Sequence, residues 1–266
     1  MNILAVNDDG IGDGIIRLIE AFRTAGHHVL AVVPDRNRSG SSHSVTFDTS
    51  MRLREAGKDL YTYGGTPVDG ILAALVSGGL EYRADAVVSG INAGPNLGTD
   101  ILYSGTAAAA RQGSLYGLPS VAFSVDGDAP YHFDEAALWA ATHFDRLLTC
   151  WRKGAFINVN YPNTRDFSGA LFTYPALRIY EDSITMERNA DGSRSCFLNG
   201  NGVTVKRGDE VLPGVSDWEA VRQNKVSVSV VSSHPQVVEA IGTMGTTKEG
   251  DYGGFGGLEC LGSFVN

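Results

Sequence analysis

The first apolar run of the chain, Asn2-Ile-Leu-Ala-Val-Asn7, is too short for a buried helix and stops at Asp8-Asp9-Gly10, the pattern of a buried strand that ends in a polar loop. In the segment that opens at Gly14, positions 15, 16, 18, 19, 22 and 25 are apolar at helical spacing, so they share one face, and Gly26 supplies the stop. Val29 to Val33 is again an unbroken apolar run, a second buried strand. Strand, helix and strand within about 30 residues form a βαβ unit, which requires parallel pairing and a right-handed crossover. The alternation continues. Helices are expected from about Val68 to Val76, Ser104 to Tyr116 and Glu135 to Leu148, and strands at Ala86–Ser89, Ser120–Phe123 and Phe156–Asn160, the last closed by Pro162. This is an α/β chain with a doubly wound, mainly parallel sheet.

From about Asn163 the pattern changes to short alternating runs among Gly, Asn, Asp and Ser, such as Ala176-Leu-Arg-Ile-Tyr180 and Val226-Ser-Val-Ser-Val-Val231, which read as strands and hairpins. The expected organisation is a core over 1–162, a β-rich arm over 163–233 that makes an oligomer contact, and a Gly-rich tail over 234–266 with little periodicity. No run approaches the roughly 20 apolar residues of a membrane helix. A strand that begins at Met1 leaves no room for a secretory leader, so a cytoplasmic location is expected. Cys150, Cys196 and Cys260 are far apart and read as reduced and structural. The formal charge of −9 argues against binding a nucleic-acid polymer but leaves a small phosphorylated ligand open.

In an open α/β sheet, ligands gather at the carboxyl ends of the parallel strands. Four polar segments fall there. Asn7-Asp8-Asp9-Gly10 puts two adjacent carboxylates on a tight loop, hard oxygen ligands suited to Mg²⁺ or Mn²⁺; the plainer reading is a turn in which Asp9 caps the next helix. Pro34-Asp-Arg-Asn-Arg-Ser39-Gly40-Ser41-Ser42 offers hydroxyls, close backbone approach and two arginines to phosphate oxygens. Ser89-Gly-Ile-Asn92-Ala-Gly-Pro-Asn96-Leu-Gly98 runs on to Tyr103-Ser104-Gly105-Thr106, where a helix start provides free amides for an anion. Gly65-Thr66-Pro67-Val68-Asp69 precedes another helix, and capping by Thr66 or Asp69 accounts for it. A carboxylate pair, a hydroxyl loop and a helix-start anion site on one sheet edge together describe phosphate-ester chemistry.

These four blocks, in this order and spacing over roughly residues 1 to 125, resemble the signature blocks of the SurE family, the stationary-phase survival proteins, 5'/3'-nucleotidases; Asn158-Val-Asn-Tyr-Pro162 resembles a further family segment. The resemblance implies a Rossmann-like core and one divalent cation per subunit, Mg²⁺ or Mn²⁺, held by Asp8, Asp9, Ser39 and Asn92. It implies release of phosphate from nucleoside monophosphates, and a homodimer or homotetramer built with an extended hairpin and an exchanged C-terminal segment. The chain departs from the family at Ile11-Gly12-Asp13-Gly14, which is shorter than the usual Ala-Pro-Gly turn and adds an acid, and at Val230-Val231, which replaces a Thr-Pro.

The expected mechanism is in-line attack on phosphorus by a water that the cation activates. Asp8 and Asp9 anchor the ion, with Asn96 and Ser104 as further catalytic groups. Asn7, Gly40, Ser41, Asn96, Ser104, Gly105 and Thr106 hold the substrate and its phosphoryl oxygens. His43 and His234 are candidates for the acid that serves the leaving group, and His27, His28, His132 and His143 are expected to be structural. The competing readings are a phosphatase of the same family specialised for a phosphorylated biosynthetic intermediate, and a non-hydrolytic nucleotide-binding or glycosyltransferase-like module suggested by Ala25-Gly-His-His-Val29.

Overall fold

Six apolar strands form the parallel centre of a nine-stranded sheet. The structure, a computed structural model, describes residues 1–76, 80–206 and 214–235. In chain order the elements are β1 (Asn2–Val6), α1 (Asp13–Thr24), β2 (His28–Pro34), β3 (Leu53–Gly57), β4 (Leu60–Tyr63), α2 (Pro67–Leu75), β5 (Ala86–Ala93), a 3₁₀ turn (Gly98–Leu102), α3 (Gly105–Leu115) and β6 (Ser120–Asp126). There follow α4 (Phe133–Cys150), β7 (Ala155–Pro162), β8 (Ala170–Phe172), β9 (Leu177–Arg188), β10 (Arg194–Lys206), α5 (Asp217–Arg222) and β11 (Val226–Ser232).

The sheet order is β3-β4-β2-β1-β5-β6-β7-β11-β8, with β4, β2, β1, β5, β6 and β7 all parallel. The chain winds outward from β1 through β2 to β4, and from β5 through β6 to β7 in the opposite direction. The reversal lies between β1 and β5, where the loops leaving the two strands separate and open a crevice. Helices α1 and α4 close one face over Ile3, Ala5, Val88, Phe123, Val159 and Tyr161. On the other face α2 and α3 cover Leu4, Val6, Val32, Val87 and Phe156. Helix α2 begins in a capping box between Thr66 and Asp69, and Asp69 also accepts from Thr46 N and Thr46 Oγ1 at 2.9 and 2.7 Å, so the Gly65-Thr-Pro-Val-Asp69 block pins a neighbouring loop to a helix start.

The expected arm over 163–233 is corrected. Among the described residues only the β9–β10 hairpin forms a separate two-stranded ribbon, while β8 and β11 belong to the main sheet, with β11 antiparallel to β7. Both faces of the strand read from the Val-Ser alternation are covered over 226–229. Val226 and Val228 join the core beside α4, and Ser227 and Ser229 meet Thr173 Oγ1 at 2.8 and 2.7 Å. The β3–β4 edge was absent from the sequence reading because Leu53-Arg-Glu-Ala-Gly57 is exposed throughout and carries no apolar period. The expected tail lies almost wholly outside the described residues, as does Cys260. Cys150 is buried, and Cys196 is exposed on β10 rather than structural.

Candidate active site

The loop Asn7–Gly10 leaves β1 at the reversal point. Asn7 is buried and closes this loop, its Nδ2 donating to Gly10 O at 2.7 Å while its Oδ1 accepts from Gly10 N at 3.2 Å. The side chain assigned to phosphate from sequence therefore shapes the loop from inside.

Asp8 is buried, and Thr106 Oγ1 donates to its Oδ1. Burial raises its pKa above the ordinary carboxylate value, against the hydrogen bond from Thr106 and the amides of Thr106 and Gly105 at the start of α3. At the helix start read from Ser104-Gly105-Thr106 the amides of Gly105 and Thr106 face a protein carboxylate, Asp8. A Cβ on Gly105 would lie 2.8 Å from Asp8 Cβ and 2.9 Å from Oδ2, so only glycine lets α3 approach this closely. Asp9 is half-buried and loosely held. Its Oδ1 accepts from Asn37 Nδ2 at 3.4 Å and its Oδ2 from Ala93 N at 3.3 Å, so it does not cap α1. Burial, then the charge of Asp8, push its pKa up to about 6. Among the described residues neither carboxylate has an ion-pair partner; the nearby Arg38 faces Asp35 at 3.6 Å.

The loop after β2 is brought alongside. Arg38 N donates to Asp8 O at 2.7 Å, which places Ser39 and Gly40 next to the carboxylate pair, and both are exposed. Ser41 Oγ is buried with no hydrogen-bond partner among the described residues. Ser42 N and Oγ bond Tyr103 O and Leu102 O at 3.0 and 2.7 Å, tying this loop to the approach of α3.

From the other side comes the loop after β5. Asn92 Nδ2 donates to Gly94 O at 2.8 Å, its Oδ1 has no hydrogen bond among the described residues, and Ala93 N reaches Asp9. Asn96 is buried beneath this loop, with Nδ2 donating to Ser124 Oγ at 2.6 Å, the backbone amide donating to Asn160 Oδ1 at 2.8 Å, and the carbonyl accepting from Asn158 and Asn160. Ser104 is the N-cap of α3, accepting from Ala107 N at 2.9 Å.

Several supports escaped the sequence reading. Asn158, Asn160 and Ser124 were not assigned, yet together they hold Asn96; the available signal was polar residues at alternate positions in strands that are otherwise apolar. Asp217 is fully buried and accepts from Gly98 N, Ala176 N and Trp218 N at 2.7, 2.9 and 2.8 Å. It joins the Asn92–Gly98 loop to the root of the arm, where a Cβ on Gly98 would lie 2.0 Å from Ala176 O. Asp100 makes a second join, accepting from Arg178 and Tyr180 of β9.

The histidines stand apart from the carboxylate pair. His43 Nε2 is 2.8 Å from Gln112 Oε1, and burial lowers its pKa. Gln112 lies six residues beyond Thr106, about 9 Å along α3. His234 O accepts from Ser232 Oγ. His143 stacks on Trp139, His27 packs near Phe22 and Phe144, and His28 and His132 face Asp59 and Glu135.

The Survival protein SurE family matches residues 3–182. The chain is 37% identical over 223 residues, 83% of its own length and 85% of the relative's, to the 5'-nucleotidase SurE of Anaeromyxobacter dehalogenans (strain 2CP-C). It is 36% identical over 237 residues, 87% and 89% of the two lengths, to the 5'-nucleotidase SurE of Xanthomonas euvesicatoria pv. vesicatoria (strain 85-10). The crystal structure of the SurE protein from Aquifex aeolicus superposes with a TM-score of 0.74 at 34% identity, covering 89% of this chain and 95% of that one. The sequence blocks, the strand order and these matches agree, and the chain belongs to the SurE family.

Proposed function

We propose that the protein is a divalent-cation-dependent phosphomonoesterase that releases inorganic phosphate from nucleoside monophosphates. The observation that carries this is the Asp8–Asp9 pair. Two desolvated carboxylates with raised pKa values and no cationic partner among the described residues form a site of unbalanced negative charge, in a chain whose relatives are named 5'-nucleotidases.

The residues fit a hard divalent cation. No three His, Cys, Asp or Glu side chains come together among the described residues, so the residues that would hold the cation beside Asp8 and Asp9 are neutral oxygen donors, the exposed Ser39 hydroxyl and Asn92 Oδ1, with water. When bound, the cation neutralises phosphoryl oxygens and makes a water nucleophilic near neutral pH. Thr106 and the amides at the start of α3 orient Asp8 and favour its ionised form against the effect of burial. Asp9, with its two long hydrogen bonds, is free to orient or accept a proton from the attacking water. Gly40 and the orphaned Ser41 hydroxyl present donors to the phosphoryl oxygens. Ser104 can donate its proton while its oxygen caps α3, and Asn96 backs the loop that bears Asn92. Asn7 has the loop-closing role alone.

The same reading includes a homodimer or homotetramer formed through the arm. A lone two-stranded ribbon is marginal in water, and this one exposes Ile184, Met186, Phe197 and Leu198, side chains that a second subunit would cover. A cytoplasmic setting is in keeping with Cys150 and Cys196, which form no disulfide among the described residues, and among those residues no helix is long and apolar enough to cross a membrane. The deciding experiment is phosphate release from nucleoside 5'- and 3'-monophosphates and from unrelated phosphate esters, with Mg²⁺, Mn²⁺ or chelator. Cation-dependent release from nucleotides is expected, and folded, cation-loaded protein that releases none would overturn the reading.

A further inference from the structure

An exposed aromatic ring stands at the rim of the site with no role in the chemistry above. Tyr103 immediately precedes Ser104, and its carbonyl takes the Ser42 amide, so its backbone is fixed between the Ser39–Ser42 loop and the start of α3. Its own amide and that of Ser104 both donate to Asp100 O at 3.0 Å. The ring is 58% exposed and meets Tyr180 of the arm edge-on, with centroids 6.5 Å apart and planes at 85°. Tyr180 is itself locked, its hydroxyl donating to Asp100 Oδ1, while Arg178 binds Asp100 Oδ2 and lies 5.8 Å over the Tyr180 ring. A T-shaped contact with one neighbour can cover at most one face of the Tyr103 ring, and the residue as a whole stays largely exposed. The brace behind it removes much of the ordering cost that a free surface tyrosine would incur on binding a ligand.

We propose that Tyr103, braced by Tyr180, is the platform on which the base of the nucleotide stacks while its phosphate lies at Asp8, Asp9 and the start of α3. This rests on the nucleotidase reading and adds the residue that selects nucleotides over simple esters. Stacking uses the π-face that every base has, so all four bases are accepted and purines, with the larger face, are held better. The aromatic pair also joins the arm to specificity, because Tyr180 comes from β9 and not from the core.

The test compares adenosine 5'-monophosphate with glycerol phosphate, an ester without a ring, in wild type, Tyr103→Ala and Tyr103→Phe. Tyr103→Ala raises the ratio of KM for the nucleotide to KM for glycerol phosphate about tenfold, and Tyr103→Phe keeps that ratio within about twofold. Adenosine alone competes with glycerol phosphate in wild type and loses this inhibition by a similar factor in Tyr103→Ala. A KM ratio unchanged in Tyr103→Ala overturns the platform, provided that wild type hydrolyses the nucleotide. Wild type that hydrolyses glycerol phosphate and no nucleotide overturns the nucleotidase reading instead.

Discussion

Asp9→Asn is expected to make the cation-free protein more stable at neutral pH while abolishing turnover. The folded-state pKa of Asp9 is pushed up to about 6 from an ordinary 3.8, first by burial and then by Asp8. A carboxylate with a raised pKa binds its proton more tightly folded than unfolded. The cost to the fold is therefore absent below the unfolded value, grows as pH rises through about 4 to 6, and is complete above that. A shift of about two units corresponds to about 3 kcal/mol, and the partial exposure of the side chain screens this to about 1–2 kcal/mol. Asparagine carries no charge and avoids the cost, keeping an oxygen for one of the two long hydrogen bonds. For a chain of this size the gain corresponds to about 2–8 °C in Tm. Thermal unfolding followed by circular dichroism in chelator should show the gain at pH 7.5 and lose it at pH 4. Adding Mn²⁺ or Mg²⁺ should raise the Tm of wild type and leave the variant nearly unmoved. A variant no more stable than wild type at pH 7.5 in chelator, or equally stabilised at both pH values, would refute the argument.

Other perturbations probe the supports of the site. Gly98→Ala adds a methyl 2.0 Å from Ala176 O at a φ of +55°, and should cost about 2 kcal/mol or more, read from the urea midpoint. Asp217→Ala strands three buried amides and should cost about 3 kcal/mol or more, with faster hydrogen exchange at Gly98 and Ala176. Thr106→Val removes a hydrogen bond that lowers the pKa of Asp8, so the acid limb of the kcat/KM profile should move to higher pH. An acid limb that stays in place would mean that Asp8 is not the group titrating there.

The core was legible because burial on both faces leaves a plain mark: β1 and β2 are continuous apolar runs, β5, β6 and β7 are mostly apolar, and the helices between them carry a period of 3.6 residues. Of the outer strands, β3 was not, because it is exposed along its length and nothing in its composition separates it from a loop. Strand β11 was read from its Val-Ser alternation, and the tertiary fold adds that Thr173 covers the face its serines make. Period-2 polarity reports that one face of a strand is polar, and leaves open whether that face is wet.

The same ambiguity governs what could be read of the site. Asp8 and Asp9 follow β1, Ser39 lies in the loop after β2 and Asn92 is at the end of β5, and the strand order puts those ends side by side. Sequence could not separate groups that would touch a phosphate from groups that hold the touching groups. Asn7, Thr106 and Asn96 are polar residues in glycine-bearing loops, as a phosphate ligand would be, yet each is engaged by the protein: Asn7 by Gly10, Thr106 by Asp8, Asn96 by Ser124 and Asn160. The reason is energetic. A buried loop must satisfy its own amides and carbonyls before it can offer any to a ligand, so most of its polar side chains serve the loop itself. The groups left over are the informative ones. In the loops that leave β1 and β2 at the carboxyl end of the sheet, Ser41 Oγ has no hydrogen-bond partner and the two carboxylates have no ion-pair partner among the described residues.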